Sequence, residues 1–251
     1  MKTRTSGPAL LFIATLFLCT SAFAGHRFHA SAFAVAGEDR SAVGAVALPS
    51  TGGMNETVVR DFDDGFVRFA EARSVVRGLK EGSVAVTTTE ITILDLSFGD
   101  RVHVDRLVAR TNSRQSVDML EGTIDLDGSV LEGLSVDGKP VDVTLDTRWF
   151  AEHPTFASVR AAGIEPLAGM PSITCSAYAT ASCSEGRRGI RVPDLGFLTI
   201  GEVFVKNGAR SLEMLRLDRF AKRSGRIRTL EDPPPPIVVG AVEGNGSPLW
   251  P

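Results

Sequence analysis

The sequence predicts an all-β protein: an antiparallel β-sandwich or jelly-roll-like single domain with one short helix, the alternative being a β-solenoid. Three observations lead there. From Val84 to Leu145 (VAVTTTEITILDLSFGDRVHVDRLVARTNSRQSVDMLEGTIDLDGSVLEGLSVDGKPVDVTL) apolar and polar residues alternate in short runs, each stopped by a Gly-Asp, Asp-Gly or Gly-Ser step. Half-buried strands joined by tight turns have this pattern. From Arg191 to Phe220 (RVPDLGFLTIGEVFVKNGARSLEMLRLDRF) the alternation returns around Asn207-Gly208, a pair suited to the positive φ angles of a two-residue hairpin turn. The strand blocks share no fixed period, which weighs against a solenoid.

The chain of 251 residues begins with an export signal. Lys2 and Arg4 open it, Ala9 to Leu18 forms an apolar core, and Ala22-Phe23-Ala24 is a small-residue cleavage site before Gly25. The apolar run is shorter than the roughly 20 residues a membrane-spanning helix needs. Residues 1–24 are therefore expected to leave as a signal peptide, residues 25–230 to form the β-rich domain, and residues 231–251, with Pro233 to Pro236 followed by Gly, Asn and Ser, to be a flexible tail. The formal net charge of −3 becomes more negative with loss of Lys2 and Arg4. No basic excess points to nucleic acid.

Within the domain, Ala30 to Ala36 (ASAFAVA) reads as a first strand and Pro49 to Gly53 as a loop. Asp61 to Leu79 carries both helical and strand spacings; the strand reading is preferred, with Asp61, Asp63 and Asp64 as a solvated turn. Ile91 and Ile93 share one phase while Leu94, Leu96 and Phe98 share the other, which implies a bulge near Ile93-Leu94. Gly99-Asp100 turns the chain into Val102 and Val104, with His103 pointing outward. Asp137-Gly138 forms a hairpin between Leu134/Val136 and Val141/Val143/Leu145. Pro154 and Gly163 bracket the short helix, and strand pattern resumes from Ile173 to Ala179.

After removal of Cys19 with the signal, Cys175 and Cys183 remain, an even pair in an oxidising compartment, read as a disulfide. No Gly-x-Ser-x-Gly elbow, metal-ligand spacing or cofactor motif occurs, so no catalytic residue, metal or cofactor is assigned. The densest group of acids, Glu121, Asp125, Asp127 and Glu132, is the candidate ligand-binding set. Two carboxyls flanking a sugar bond are the machinery of glycoside hydrolysis, while the bland reading is solvated acids on an amphipathic sheet.

The order of these segments resembles the bacterial exported family called choice-of-anchor P proteins. The similar pieces are ASAFAVAG, VALPSTGG, VVRGLKEGSVAVTTTEITILDLSFGDRVHVDRLVART, GSVLEGLSVDGKPV and LGFLTIGEVFVKNGARSLEMLRL, which span Ala30 to Leu217. The resemblance implies an exported β-rich domain of unknown function whose relatives carry varied C-terminal surface anchors; no anchor pattern is recognised here. The expected function is a non-catalytic structural or interaction role at the cell envelope or outside the cell, toward an envelope or extracellular polymer or protein. A carbohydrate-binding or glycoside-hydrolysing protein using the clustered carboxylates is the alternative.

Overall fold

The computed structural model describes residues 27–37, 40–116, 122–145, 147, 152–153, 158, 171–174, 189–206, 209–220 and 235–245. Their regular structure is built on 17 strands. β1 (Ser31–Gly37), β2 (Arg40–Val43) and β3 (Val46–Ala47) lead into the long meander β4 (Gly53–Asp63), β5 (Val67–Glu81), β6 (Val84–Phe98) and β7 (Val102–Ser116). Short strands follow: β8 (Thr123–Asp125), β9 (Val130–Glu132), β10 (Ser135–Val136), β11 (Lys139–Pro140), β12 (Asp142–Leu145) and β13 (Pro171–Thr174). β14 (Gly189–Val192), β15 (Gly196–Lys206), β16 (Ala209–Arg219) and β17 (Ile237–Asn245) complete the chain.

These form two antiparallel sheets and a separate β12–β13 pair. Sheet I runs β14-β15-β16-β17-β1-β2, with β3 also on β1; sheet II runs β11-β10-β7-β6-β5-β4, with β8 and β9 along the outer side of β7. β1 lies over β5 and β6, and β17 over β6 and β7, so the sheets stack as a sandwich around one apolar core. Ile91, Ile93, Leu96, Phe98 and Leu107 of sheet II meet Ile200, Met214, Leu215, Leu217 and Val239 of sheet I there, all fully buried. No helix among the described residues is long and apolar enough to cross a membrane.

Local chemistry explains the main turns. Asp137 (φ 51°) and Gly138 (φ 73°) both take positive φ, and Val136 pairs with Lys139 across them. That is the two-residue turn expected from Asp-Gly, but its returning arm is only Lys139–Pro140, and Val143 and Leu145 pair instead with Ile173 and Pro171. Pro140 has no N–H to extend the ladder. The Asp61–Leu79 segment is two strands, not one. Asp64 Oδ1 accepts from Phe66 N (2.9 Å) and Val67 N (2.7 Å), and Asp63 Oδ1 from Gly65 N (2.7 Å), so the acids cap a β4–β5 turn. β15 and β16 pair from Gly196–Arg219 through to Lys206–Ala209, as a hairpin about Asn207-Gly208 requires.

The largest correction concerns the C-terminal segment. Residues 237–245 are not a flexible tail: β17 pairs with β16 on one side and β1 on the other, in the middle of sheet I. Its IVVGAV run is a short continuous apolar stretch after a proline break, the signature of a strand buried on both sides; composition averaged over Pro, Gly and Asn hid it. The β-domain therefore extends beyond residue 230 to Asn245. The proposed helix at 154–163 lies outside the described residues except for Ser158, as do Cys175 and Cys183.

Phase reversal occurs in every long strand of sheet II. In β6 the buried positions run Ala85, Thr87, Thr89, Ile91, Ile93, then Leu96 and Phe98; in β7 they run Val102, Val104, then Leu107, Ala109, Thr111; in β5, Val67, Phe69, then Ala72, Ser74, Val76. The reversal in β6 centres on Asp95 (φ 57°), one residue past the expected bulge. Pairing is continuous through it: Leu94–Arg106 and Leu96–Val104 flank Asp95 and Asp105, and Arg60–Glu71 and Phe62–Phe69 flank Asp61 (φ 52°) and Ala70. No extra residue is inserted; neighbouring strands reverse together, so register survives while the inward face changes.

Sheet I repeats the device. Gly201 (φ 62°) and Gly240 (φ 66°) alternate with Met214 and Ala34, which lie between the pairs Glu213–Ala241 and Leu215–Val239, and Phe33–Ala241 and Val35–Val239. The left-handed residue sits on every second strand in both sheets. Gly240 packs directly on the kink of sheet II: a Cβ there would lie 2.5 Å from Leu107 Cδ2.

Candidate functional site

Pairing along β7 separates Glu132 from Asp125 and Asp127. Asp125 stands opposite Asn112 and Glu132 opposite Arg106. Six residues of strand separate those positions, roughly 20 Å, well beyond the 5 to 10 Å between two carboxyls that share a glycosidic bond. Each is also engaged locally. Asp125 Oδ1 accepts from Asn112 Nδ2 (2.8 Å) and Asp127 N (3.1 Å), Thr147 Oγ1 donates to Asp127 Oδ1 (3.5 Å), and Glu132 pairs with Arg106 (3.3 Å). Asp125 and Asp127 therefore build the β8–β9 turn. Glu121 lies outside the described residues.

A different group converges, on the outer side of sheet II at the phase reversal. An open trough of about 450 Å³ is lined by Asp61, Phe62, Asp63, Arg68, Phe69, Ala70, Asp95, Ser97 and His103. Two transverse rows of the sheet form it. One crosses from Asp63 and Arg68 to Ser97 and His103. The other is the reversal row, where the methyl group of Ala70 lies between Asp61 and Asp95. Alternate strands are about 10 Å apart, so the two carboxylates flank a gap that Ala70 leaves open. Phe62 stacks on Phe69 with centroids 4.9 Å apart and ring planes at 19°.

His103 is gripped from both sides. Its Nε2 lies 3.0 Å from Asp105 Oδ1 and its Nδ1 3.6 Å from Asp95 Oδ1. Ser97 Oγ is 3.5 Å from the same Nδ1 and is buried between Arg68 and His103. Hydroxyl, imidazole and carboxylate stand in the order of a nucleophilic triad, yet each ring nitrogen faces a carboxylate. Which ring nitrogen donates, and so whether Nδ1 meets Ser97 as donor or acceptor, is set by the tautomer. Arg68 meets Asp100 at 3.3 Å. Among the described residues, no three His, Cys, Asp or Glu side chains come together closely enough to hold a metal ion. On the outer side of the sheet the trough brings carboxylates, a guanidinium and an imidazole together, while Phe62 and Phe69 pack toward the core.

Neither Asp95 nor His103 was singled out from sequence as a site residue. The signal that finds them is the phase reversal itself, once the reversals of β5, β6 and β7 are aligned by pairing. The remaining outer face of sheet II is a neutral checkerboard, with Arg73–Glu56 (2.8 Å), Arg60–Glu71 (2.9 Å) and Arg114–Glu81 (2.9 Å) joining neighbouring strands. Exposed pairs of this kind add about 0 to 1 kcal/mol each. The Glu56–Arg73 hydrogen bond holds the Glu56 carboxyl below its usual range.

Neither curated proteins nor solved structures contain a match to this chain. A family model described as Domain of unknown function (DUF8256) matches residues 26–166, which takes in β1 to β12 and every residue lining the trough. The chain belongs to the DUF8256 family.

Proposed function

We propose that the protein is an exported β-sandwich with a structural or interaction role at the cell envelope or outside the cell, and that it meets its partner through the trough on sheet II. Export rests on the signal-like segment Met1 to Ala24. The binding role rests on one observation: Asp61, Asp95, Arg68 and His103 converge around the small Ala70 floor in an open concavity. Polar groups gathered in a concavity are what binding sites offer. The carbohydrate reading moves here from the acids along β7, because Asp61 and Asp95 offer flanking carboxylates to sugar hydroxyls.

Two measurements test this. Fractionation with mass determination of the mature chain is expected to place it outside the cytoplasm, beginning near Gly25; an intact cytoplasmic chain refutes export. Co-sedimentation of the purified domain with envelopes of the producing cells is expected to fall at least tenfold for Ala70→Trp, which fills the trough from an exposed position and leaves the melting temperature unchanged. Equal sedimentation of both proteins, or none of either, refutes the binding role. Release of the bound domain by soluble envelope polysaccharide distinguishes a glycan from a protein partner.

A further inference from the structure

The outer face of sheet I carries a second unusual arrangement, independent of the trough. Glu202 of β15 and Glu213 of β16 are directly paired across the strands, so two carboxyls of like charge stand on neighbouring positions of one face, with Cβ atoms about 5 Å apart. Like charges so placed repel, and both side chains are partly withdrawn from water, Glu202 being only 17% exposed. Glu213 Oε2 is buried and accepts no hydrogen bond.

Among the described residues, the surrounding charges leave Glu213 Oε2 without a donor. On β16, Arg216 turns its guanidinium to Glu202 (3.6 Å) and Asp218 (3.2 Å). On β17, the residue opposite Glu213 is Ala241, flanked on the same face by Val238 and Glu243; on β1 it is Phe33. Glu243 is occupied by His29 (3.5 Å) and Ser31 (3.3 Å). Arg216 is thus directed at Glu202 and Asp218 rather than at Glu213, and β17 contributes no positive charge. A proton held by one carboxyl of the pair would supply the missing donor, replacing repulsion by a hydrogen bond.

We propose that Glu202 and Glu213 form a proton-sharing pair that makes sheet I respond to mild acidification: protonated, the pair clasps β15 to β16; fully ionised, it pushes them apart. Burial, opposed by Arg216 and reinforced by Glu202 and Asp218, raises Glu213 from 4.5 to about 7. A group raised on folding stabilises fully below its unfolded value, and that contribution is lost as pH rises through the folded value. The responsive window therefore runs from about pH 4.5 to about pH 7. An exported protein meets such swings in pH directly.

Glu213→Gln imitates the protonated partner at every pH. It is expected to melt roughly 4 °C above the native protein at pH 8, with the gap closing to within about 1 °C at pH 5. A constant gap across that range, or a lower melting point at pH 8, overturns the proposal. Carbon-13 titration of side-chain carboxyls in the native protein needs no stable variant: one glutamate is expected to titrate near 7, and Glu202→Gln to move its midpoint down by removing the neighbouring charge. Titration of every glutamate in the ordinary range, or a midpoint that Glu202→Gln leaves in place, also overturns it. A merely structural pair would shift stability without moving a carboxyl midpoint.

Discussion

Gly240→Val is expected to destabilise the fold by about 4 kcal/mol, one of the two largest single-residue effects predicted for this protein. Two costs combine. At φ 66° a side chain meets its own backbone, at roughly 1 to 2 kcal/mol for an ordinary residue and more for a β-branched one. A Cβ would also stand 2.5 Å from Leu107 Cδ2 and 3.3 Å from Met214 Cβ, and both of those side chains are fully buried; such overpacking costs about 1 to 3 kcal/mol. Urea unfolding measures the sum. The components separate in a double-mutant cycle. Gly240→Ala should cost at least about 1 kcal/mol less in a Leu107→Ala background, because the contact is gone while the backbone strain stays. Strict additivity of the two substitutions would show that the sheets do not touch at this point.

That contact shows what the paired reversals accomplish. The meander strands β5, β6 and β7 each hold 15 residues, about 50 Å of extended chain. Sheets of that length twist away from one another unless both bend together. Asp61 and Asp95 bend sheet II and Gly201 and Gly240 bend sheet I at matching places, so the faces stay in contact along their length. The acids on the outer side of the bend are also the acids of the trough. Asp tolerates the left-handed region better than most residues, so one residue type serves the bend and the candidate site together.

Much of this was legible from alternation alone: the all-β class, the first strand, and the turns at Gly99-Asp100 and Asp137-Gly138 follow from local pattern and turn chemistry. The reversal at Asp95 was visible as a change of phase between Ile93 and Leu96. Its meaning was not, because a single strand cannot show that its neighbours reverse at the same level. The trough is a product of register, joining Asp61, Asp95 and His103 from three strands, and pairing is non-local. Among the acids read from sequence, Asp125 and Asp127 stay together at Asn112 while Glu132 is carried down β7, because β8 and β9 pair with different parts of that strand. β17 was missed because its apolar run is framed by prolines and glycines, and composition outweighed the six residues that mattered.

Phe98→Ala tests the phase assignment where it bears most weight. Phe98 closes β6 beyond the reversal, is fully buried, pairs across the sheet with Val67 and Val102, and meets Phe66 edge-on at 6.5 Å. Val102 is held in a ladder on both sides, and Val67 by the ladder to Phe98 and the turn bond from Asp64 N, so neither can collapse into the space. Truncation should therefore cost the full cavity penalty, about 3 to 5 kcal/mol. Leu94, four residues earlier on the same strand, is 38% exposed on the opposite face, and Leu94→Ala should cost less than about 1 kcal/mol. Without a reversal, the two positions would share a face, and their truncations would cost alike. Comparable losses in urea melts of the two variants would refute the kink at Asp95, and with it the concavity in which Asp95 and His103 meet.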